Sequence, residues 1–158
     1  MDRRAFFRLT ALGSLGAALA PSAFAAETAP VAARTQLGID VLAAGGFETL
    51  RGVRCGLVTH RAGMNGAGQR TVDVLAAAPG VRLTKLFGPE HGIDGNAAAE
   101  ISVKNAKDAR TGLPVYSLYG ATRKPTPEML EGLDAIVIDF QDVGARSYTY
   151  ISCMRYVI

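Results

Sequence analysis

Glu90 and His91 stand side by side in Leu86-Phe87-Gly88-Pro89-Glu90-His91-Gly92, a glycine-bracketed segment directly after the apolar run Val81 to Phe87. A carboxyl group beside an imidazole is equipment for moving protons, and proline and glycine together fix a loop that lets a ligand come close. A second polar loop, Gln141-Asp142-Val143-Gly144-Ala145-Arg146, follows the apolar run Ala135 to Phe140. Two further polar ends obey the same rule: His60-Arg61-Ala62-Gly63 after Val53 to Thr59, and Gly120 with Arg123 after Pro114 to Tyr119.

The four apolar runs read as buried strands, and the stretches between them read as helices. Ile39, Leu42 and Ala43 have helical spacing within Gly38 to Ala44, which Gly45-Gly46 ends. Thr71 starts a helix with Val72, Leu75 and Ala76 on one face, ended by Pro79-Gly80. Thr126 is placed to cap a helix with Pro127 at its first position and Glu128 in its first turn, running to Leu133. Tyr150, Ile151, Met154 and Val157 give helical spacing to Tyr148 to Ile158. Strand and helix in alternation predict an α/β domain, a mainly parallel sheet with helices on both faces. The polar loops of such a sheet open on its carboxyl edge, so all four are expected to line one pocket.

Residues 1–25 read as a twin-arginine-type signal peptide: Asp2-Arg3-Arg4-Ala5-Phe6-Phe7-Arg8, an apolar stretch from Leu9 to Ala20, and Ala23-Phe24-Ala25 before the expected cleavage. The apolar stretch falls short of the roughly 20 residues that span a bilayer, so no stable membrane anchor is expected after cleavage. The address is periplasmic or extracytoplasmic. Residues 26–36 are a flexible lead-in rich in Ala, Pro and Thr, and the folded domain is expected over 37–158. Of the formal charge of +3, the signal's three arginines against one aspartate supply +2, so the basic balance belongs largely to the address. No basic cluster with interleaved aromatics follows it, and nucleic-acid binding has no support. Cys55 and Cys153, each among apolar neighbours and far apart in sequence, fit two buried thiols better than a disulfide. Two histidines on separate loops fall short of a metal signature, so neither metal nor cofactor is expected.

The motifs also resemble a known family. Gly56-Leu57-Val58-Thr59-His60, the segment Leu86 to Gly92, Arg110-Thr111-Gly112-Leu113-Pro114-Val115-Tyr116-Ser117-Leu118-Tyr119-Gly120 and Asp139 to Arg146 together resemble the NamZ-type exo-β-N-acetylmuramidases, formerly a domain of unknown function. The resemblance covers about residues 37–158. It implies a Rossmann-like catalytic domain, a smaller carboxyl-terminal domain with the cleft between them, and no cofactor. It also implies release of N-acetylmuramic acid from the non-reducing end of peptidoglycan fragments, with a muropeptide or muramyl-glucosamine sugar as substrate. Family members are more than twice as long, so the chain is expected to be the amino-terminal portion. A non-catalytic periplasmic module that binds muramyl sugars, or an inactive fragment, are the other readings.

Breaking a glycosidic bond calls for an acid to protonate the departing oxygen and, usually, a second carboxylate. Glu90 is the expected acid; its alternative is a helix cap or a surface ion pair. Asp142 is the candidate second carboxylate or else an N-cap, and a participating acetamido group on the substrate is able to replace it. His91 either orients Glu90, bonds a sugar hydroxyl, or holds a backbone carbonyl. N-acetylmuramic acid carries a lactyl carboxylate, for which Arg146 at a helix start is the first choice, against a salt bridge to Asp142 or Asp139. Arg61 and Arg123 are second choices, His60 and Gln141 lie on the same edge as substrate-binding candidates, and Tyr148 and Tyr150 offer either a stacking face or core.

Overall fold

A computed structural model describes residues 35–99, 101–145 and 148–158. The expected signal peptide at 1–25, most of the lead-in and Arg146 lie outside the described residues. Five strands form one sheet: β1 (Arg54–Thr59), β2 (Arg82–Gly88), β3 (Ala106–Lys107), β4 (Pro114–Ser117) and β5 (Ala135–Asp139). Their spatial order is β3-β4-β2-β1-β5, with β1 parallel to β2 and β5, β4 parallel to β2, and only β3 antiparallel. Four helices connect or flank them: α1 (Gly38–Ala44), α2 (Thr71–Ala77), α3 (Pro127–Leu130) and α4 (Tyr150–Val157). This is the mainly parallel α/β sheet that the alternating pattern predicts, and it agrees with the Rossmann-like domain that the resemblance implies.

Two clusters of buried side chains occupy the two faces of the sheet. Cys55 and Leu57 of β1 join Ile39 of α1 and Val72 and Leu75 of α2 in one, while Val58 joins Phe87, Leu118, Met129, Leu130 and Cys153 in the other. Period-two alternation along β1 produces this split. β2 keeps the same allegiance only through a bulge: Cys55 pairs with Leu83 and Gly56 with Lys85, so Thr84 is an extra residue. Without it Leu83 and Leu86, three apart, would face opposite sides; with it both enter the first cluster. Cys55 and Cys153 are free, buried thiols in different clusters, so the sheet itself stands between them.

Several boundaries differ from expectation for local reasons. β3 lies in what reads as a long loop, because two exposed residues carry no apolar pattern. β4 ends at Ser117 rather than Tyr119, since the Tyr119 N–H turns back to donate to Ser117 Oγ at 3.0 Å. Thr126 caps α3 as predicted, accepting from Met129 N–H, but the helix stops at Leu130 and not Leu133, with Gly132 at φ +76° taking the chain back to the sheet. Among the described residues no helix is long and apolar enough to cross a membrane.

Candidate active site

The loop after β1 leads into α2 on one face of the sheet, and the chain after β5 leads into α4 on the other. β1 and β5 are neighbours, so their carboxyl ends frame the place where the connections part, the position at which open α/β sheets bind ligands. A crevice of about 580 Å³ opens there. His60, Arg61 and Met64 line it from the β1 loop, His91, Gly92 and Gly95 from the β2 loop, Gln141 and Val143 from the β5 loop, and Tyr148 and Tyr150 from the start of α4.

The β2 loop is folded tightly on itself. A Cβ at Gly88 would come within 3.0 Å of the Ile93 backbone nitrogen, so the loop returns closely against its own strand. His91 adopts the left-handed conformation at φ +69°, uncommon for a residue with a Cβ. It is held there by Nδ1, 2.8 Å from the carbonyl oxygen of Ala97. A carbonyl only accepts, so Nδ1 carries the proton, and in the neutral ring Nε2 keeps its lone pair. Of the three alternatives for His91, the backbone-holding one is realised, and the residue still lines the crevice.

Glu90 is half-buried beside it, and its Oε2 accepts a hydrogen bond from Thr149 Oγ1 at 3.3 Å. Thr149 holds the N-cap position of α4 yet makes no capping bond with its side chain; the hydroxyl serves Glu90 instead. Sequence reasoning passed over Thr149, although a threonine directly before an apolar helical stretch is a signal worth reading. Tyr150, the next residue, has its phenol pKa raised first by burial and then by the negative charges of Tyr148, Glu90 and Asp142. Both candidate carboxylates therefore act on one phenol.

His60 lines the crevice from the end of β1. It is 7% exposed, and its ring nitrogens face two backbone N–H groups, Ala62 at 2.9 Å from Nδ1 and Gln141 at 3.2 Å from Nε2. The ring also stacks on Phe140 with centroids 5.3 Å apart and tilts against Tyr150 at 4.5 Å. Burial holds its pKa below the ordinary value. A neutral imidazole accepts at one nitrogen only, so the ring takes its hydrogen bond from either the Ala62 or the Gln141 N–H, and it forms crevice wall between the β1 and β5 loops.

The other expected residues fall into place as follows. Arg61 is exposed and lines the crevice, its stem lying against Gly95, where a Cβ would come within 3.1 Å of Arg61 Cδ. Gln141 and Tyr148 line it and are exposed. Asp142 is not among the lining residues; it is exposed, and its Oδ1 accepts from Gly144 N–H at 2.6 Å, an Asx-type turn rather than a cap on α4. Arg123 does not share the crevice either, because the loop after β4 opens on a separate cavity with Tyr119 and Thr149. The four loops thus serve two cavities instead of one. Among the described residues no cluster of three His, Cys, Asp or Glu side chains is arranged to hold a metal ion.

One ion-pair network braces the β2 loop from behind. Arg70, just ahead of α2, bonds Asp73 at 2.8 Å, Asp94 of the β2 loop at 3.0 Å and the buried Asp108 at 2.9 Å. Burial alone would push the Asp108 carboxyl up, but the Arg70 guanidinium and both donors of Thr111 outweigh it and hold the pKa at about 2.

Comparison with known proteins places this geometry in context. The family described as "Exo-beta-N-acetylmuramidase NamZ, N-terminal" matches residues 55–158. The chain is 45% identical over 160 residues to the peptidoglycan beta-N-acetylmuramidase NamZ of Bacillus subtilis (strain 168), covering all of this chain and 39% of that protein. It is also similar to two crystal structures of DUF1343 family proteins from Bacteroides fragilis NCTC 9343. One superposes with a TM-score of 0.69 at 50% identity and the other with 0.61 at 30%; each match covers 77% of this chain and 30% of its counterpart. The chain therefore spans about two fifths of the curated relative it matches.

Proposed function

The chain belongs to the NamZ exo-β-N-acetylmuramidase family, as its N-terminal portion, and from that premise we propose that it contributes the acid-bearing half of a glycoside hydrolase. That enzyme releases N-acetylmuramic acid from the non-reducing end of peptidoglycan fragments in cell-wall turnover. The substrate is a muropeptide or muramyl-glucosamine sugar. The protein is exported through its twin-arginine-type signal and works in the periplasm or another extracytoplasmic space.

The observation that carries this reading is the carboxyl group of Glu90, half-buried, oriented by Thr149 and set on the loop whose next residue, His91, lines the crevice. Protonated Glu90 donates to the glycosidic oxygen as its bond to the anomeric carbon breaks; water then adds at that carbon, leaving a free sugar on each side. Arg61, Gln141 and the unprotonated Nε2 of His91 are the polar groups offered to sugar hydroxyls, and the rings of His60, Tyr148 and Tyr150 form the apolar wall. Asp142 is the protein's candidate for the second carboxylate. Its exposure and its bond to Gly144 favour the substrate's own acetamido oxygen for that part.

The test uses the full-length protein and a muramyl-β-1,4-N-acetylglucosamine disaccharide. Wild type is expected to release free N-acetylmuramic acid, and Glu90→Gln to bind the disaccharide without cleaving it. A folded wild type that binds the sugar and never cleaves it would instead establish a muramyl-binding module.

A further inference from the structure

Tyr148 and Tyr150 line the crevice, but Thr149 between them lines a second cavity of about 210 Å³. Residues 148–150 thus separate two cavities, and Glu90 is hydrogen-bonded to the middle residue of the partition. The second cavity has Leu118 and Cys153 as its buried floor and Arg123, Ser152 and Tyr156 around it.

Arg51, Arg54, Arg70 and Arg110 pair with carboxylates; among the other described arginines, Arg61, Arg82, Arg123 and Arg155, which have no described ion pair, only Arg123 lines this cavity. Its guanidinium sits 3.6 Å from the centre of the Tyr119 ring. An arginine stacked on an aromatic face is already ordered and keeps its in-plane N–H donors unspent, so a carboxylate that arrives in that plane meets a fork with little entropy left to lose. Burial pushes the pKa of the Cys153 thiol up to about 11, and Arg123 and Glu90 are both near enough to act on it, in opposite directions.

We propose that this cavity is the subsite for the terminal N-acetylmuramyl residue and that Arg123 receives its lactyl carboxylate. The proposal rests on the muramidase reading and locates the sugar within it. At about 210 Å³ the cavity is smaller than the roughly 300–1,000 Å³ of drug-sized sites, so it takes one ring and no second. The Thr149, Ser152 and Tyr156 hydroxyls suit sugar hydroxyls. The glycosidic bond then crosses the partition beside Glu90, and the rest of the glycan lies in the larger crevice. A terminal sugar is thereby selected by charge and by size together.

The experiment is a titration of the full ¹⁵N-labelled chain with N-acetylmuramic acid and, separately, N-acetylglucosamine, followed by amide chemical shifts. The expected result is shifts at residues 119–123 and 152–156 with N-acetylmuramic acid, and a Kd for that sugar raised about tenfold to a hundredfold by Arg123→Met, the range of a hydrogen bond to a charged group. Arg123→Lys, which keeps the charge, should recover part of the loss, and N-acetylglucosamine binding should not respond to either variant. Shifts confined to residues 61–64 and 91–95, with Arg123→Met binding as wild type, would overturn the subsite while leaving the muramidase reading in place. No shifts with either sugar would count against both.

Discussion

Thr149 Oγ1 donates to Glu90 Oε2 across 3.3 Å, joining the first turn of the last helix to the loop that carries the proposed acid. The bond fixes one carboxyl oxygen and so sets the direction in which the group faces. Thr149→Val keeps the shape and removes the donor, so kcat is expected to fall about tenfold with KM little changed, and Thr149→Ser to restore most of it. Steady-state kinetics on the muramyl disaccharide checks this. A merely structural threonine would lower Tm in both variants alike.

Asp142 and Glu90 are not equivalent carboxylates. Glu90 is half-buried and aimed by a neighbour, while Asp142 is exposed and tied to its own turn through Gly144. Glu90→Gln should cost the ~10²–10⁴-fold typical of a lost general acid, and Asp142→Asn about tenfold or less. Side-by-side kcat values decide the matter, and losses of equal size would make Asp142 the second catalytic carboxylate in full.

His91 holds a left-handed backbone that β-branched residues resist. His91→Val is expected to lower stability by about 1–2 kcal/mol, and His91→Asn by clearly less, since asparagine tolerates that conformation. Thermal melts of the two variants give the comparison, and equal melting temperatures would argue that the loop is free to relax.

Asp108 sets an acid limb to stability. Its pKa lies at about 2 against an ordinary 3.8, lower in the folded state, so its contribution is complete above about pH 4 and disappears as pH falls toward 2. A depression of that size corresponds to about 2 kcal/mol. Asp108→Asn should therefore lower Tm at pH 7 and flatten the fall between pH 4 and pH 2. Melting curves across that range report it.

Much of the sheet was legible because strands in a covered sheet are written as continuous apolar runs: Cys55 to Thr59, buried throughout, and the edge strand Ala135 to Asp139, half-buried along its length, could both be read directly. β3 escaped because Ala106 and Lys107 gain their order from pairing with β4 and not from any pattern of their own. Polar residues clustered at the carboxyl edge were also legible, since topology alone puts them there. The division of that edge into two cavities was not, because it depends on where residues 148–150 pass relative to Glu90. His60 could be placed at that edge from the sequence, but its partner, the Gln141 N–H, could not, because it is far along the chain and a backbone group leaves no trace in a sequence.

The extra residue at Thr84 reaches further than its own strand. By shifting the pleat it turns Lys85 toward α3, where Nζ donates to the carbonyl oxygens of Glu128, Met129 and Glu131 at 3.4, 3.1 and 2.7 Å. A four-residue helix has almost no internal bonds to sustain it, so this ammonium group supplies the closure its carboxyl end lacks. Deleting position 84 would leave Leu83, Lys85 and Leu86 in strict alternation, each on the face it already occupies. One codon gained in the paired part of the strand, by contrast, would exchange inside for outside from mid-strand to the threshold of the Glu90 loop.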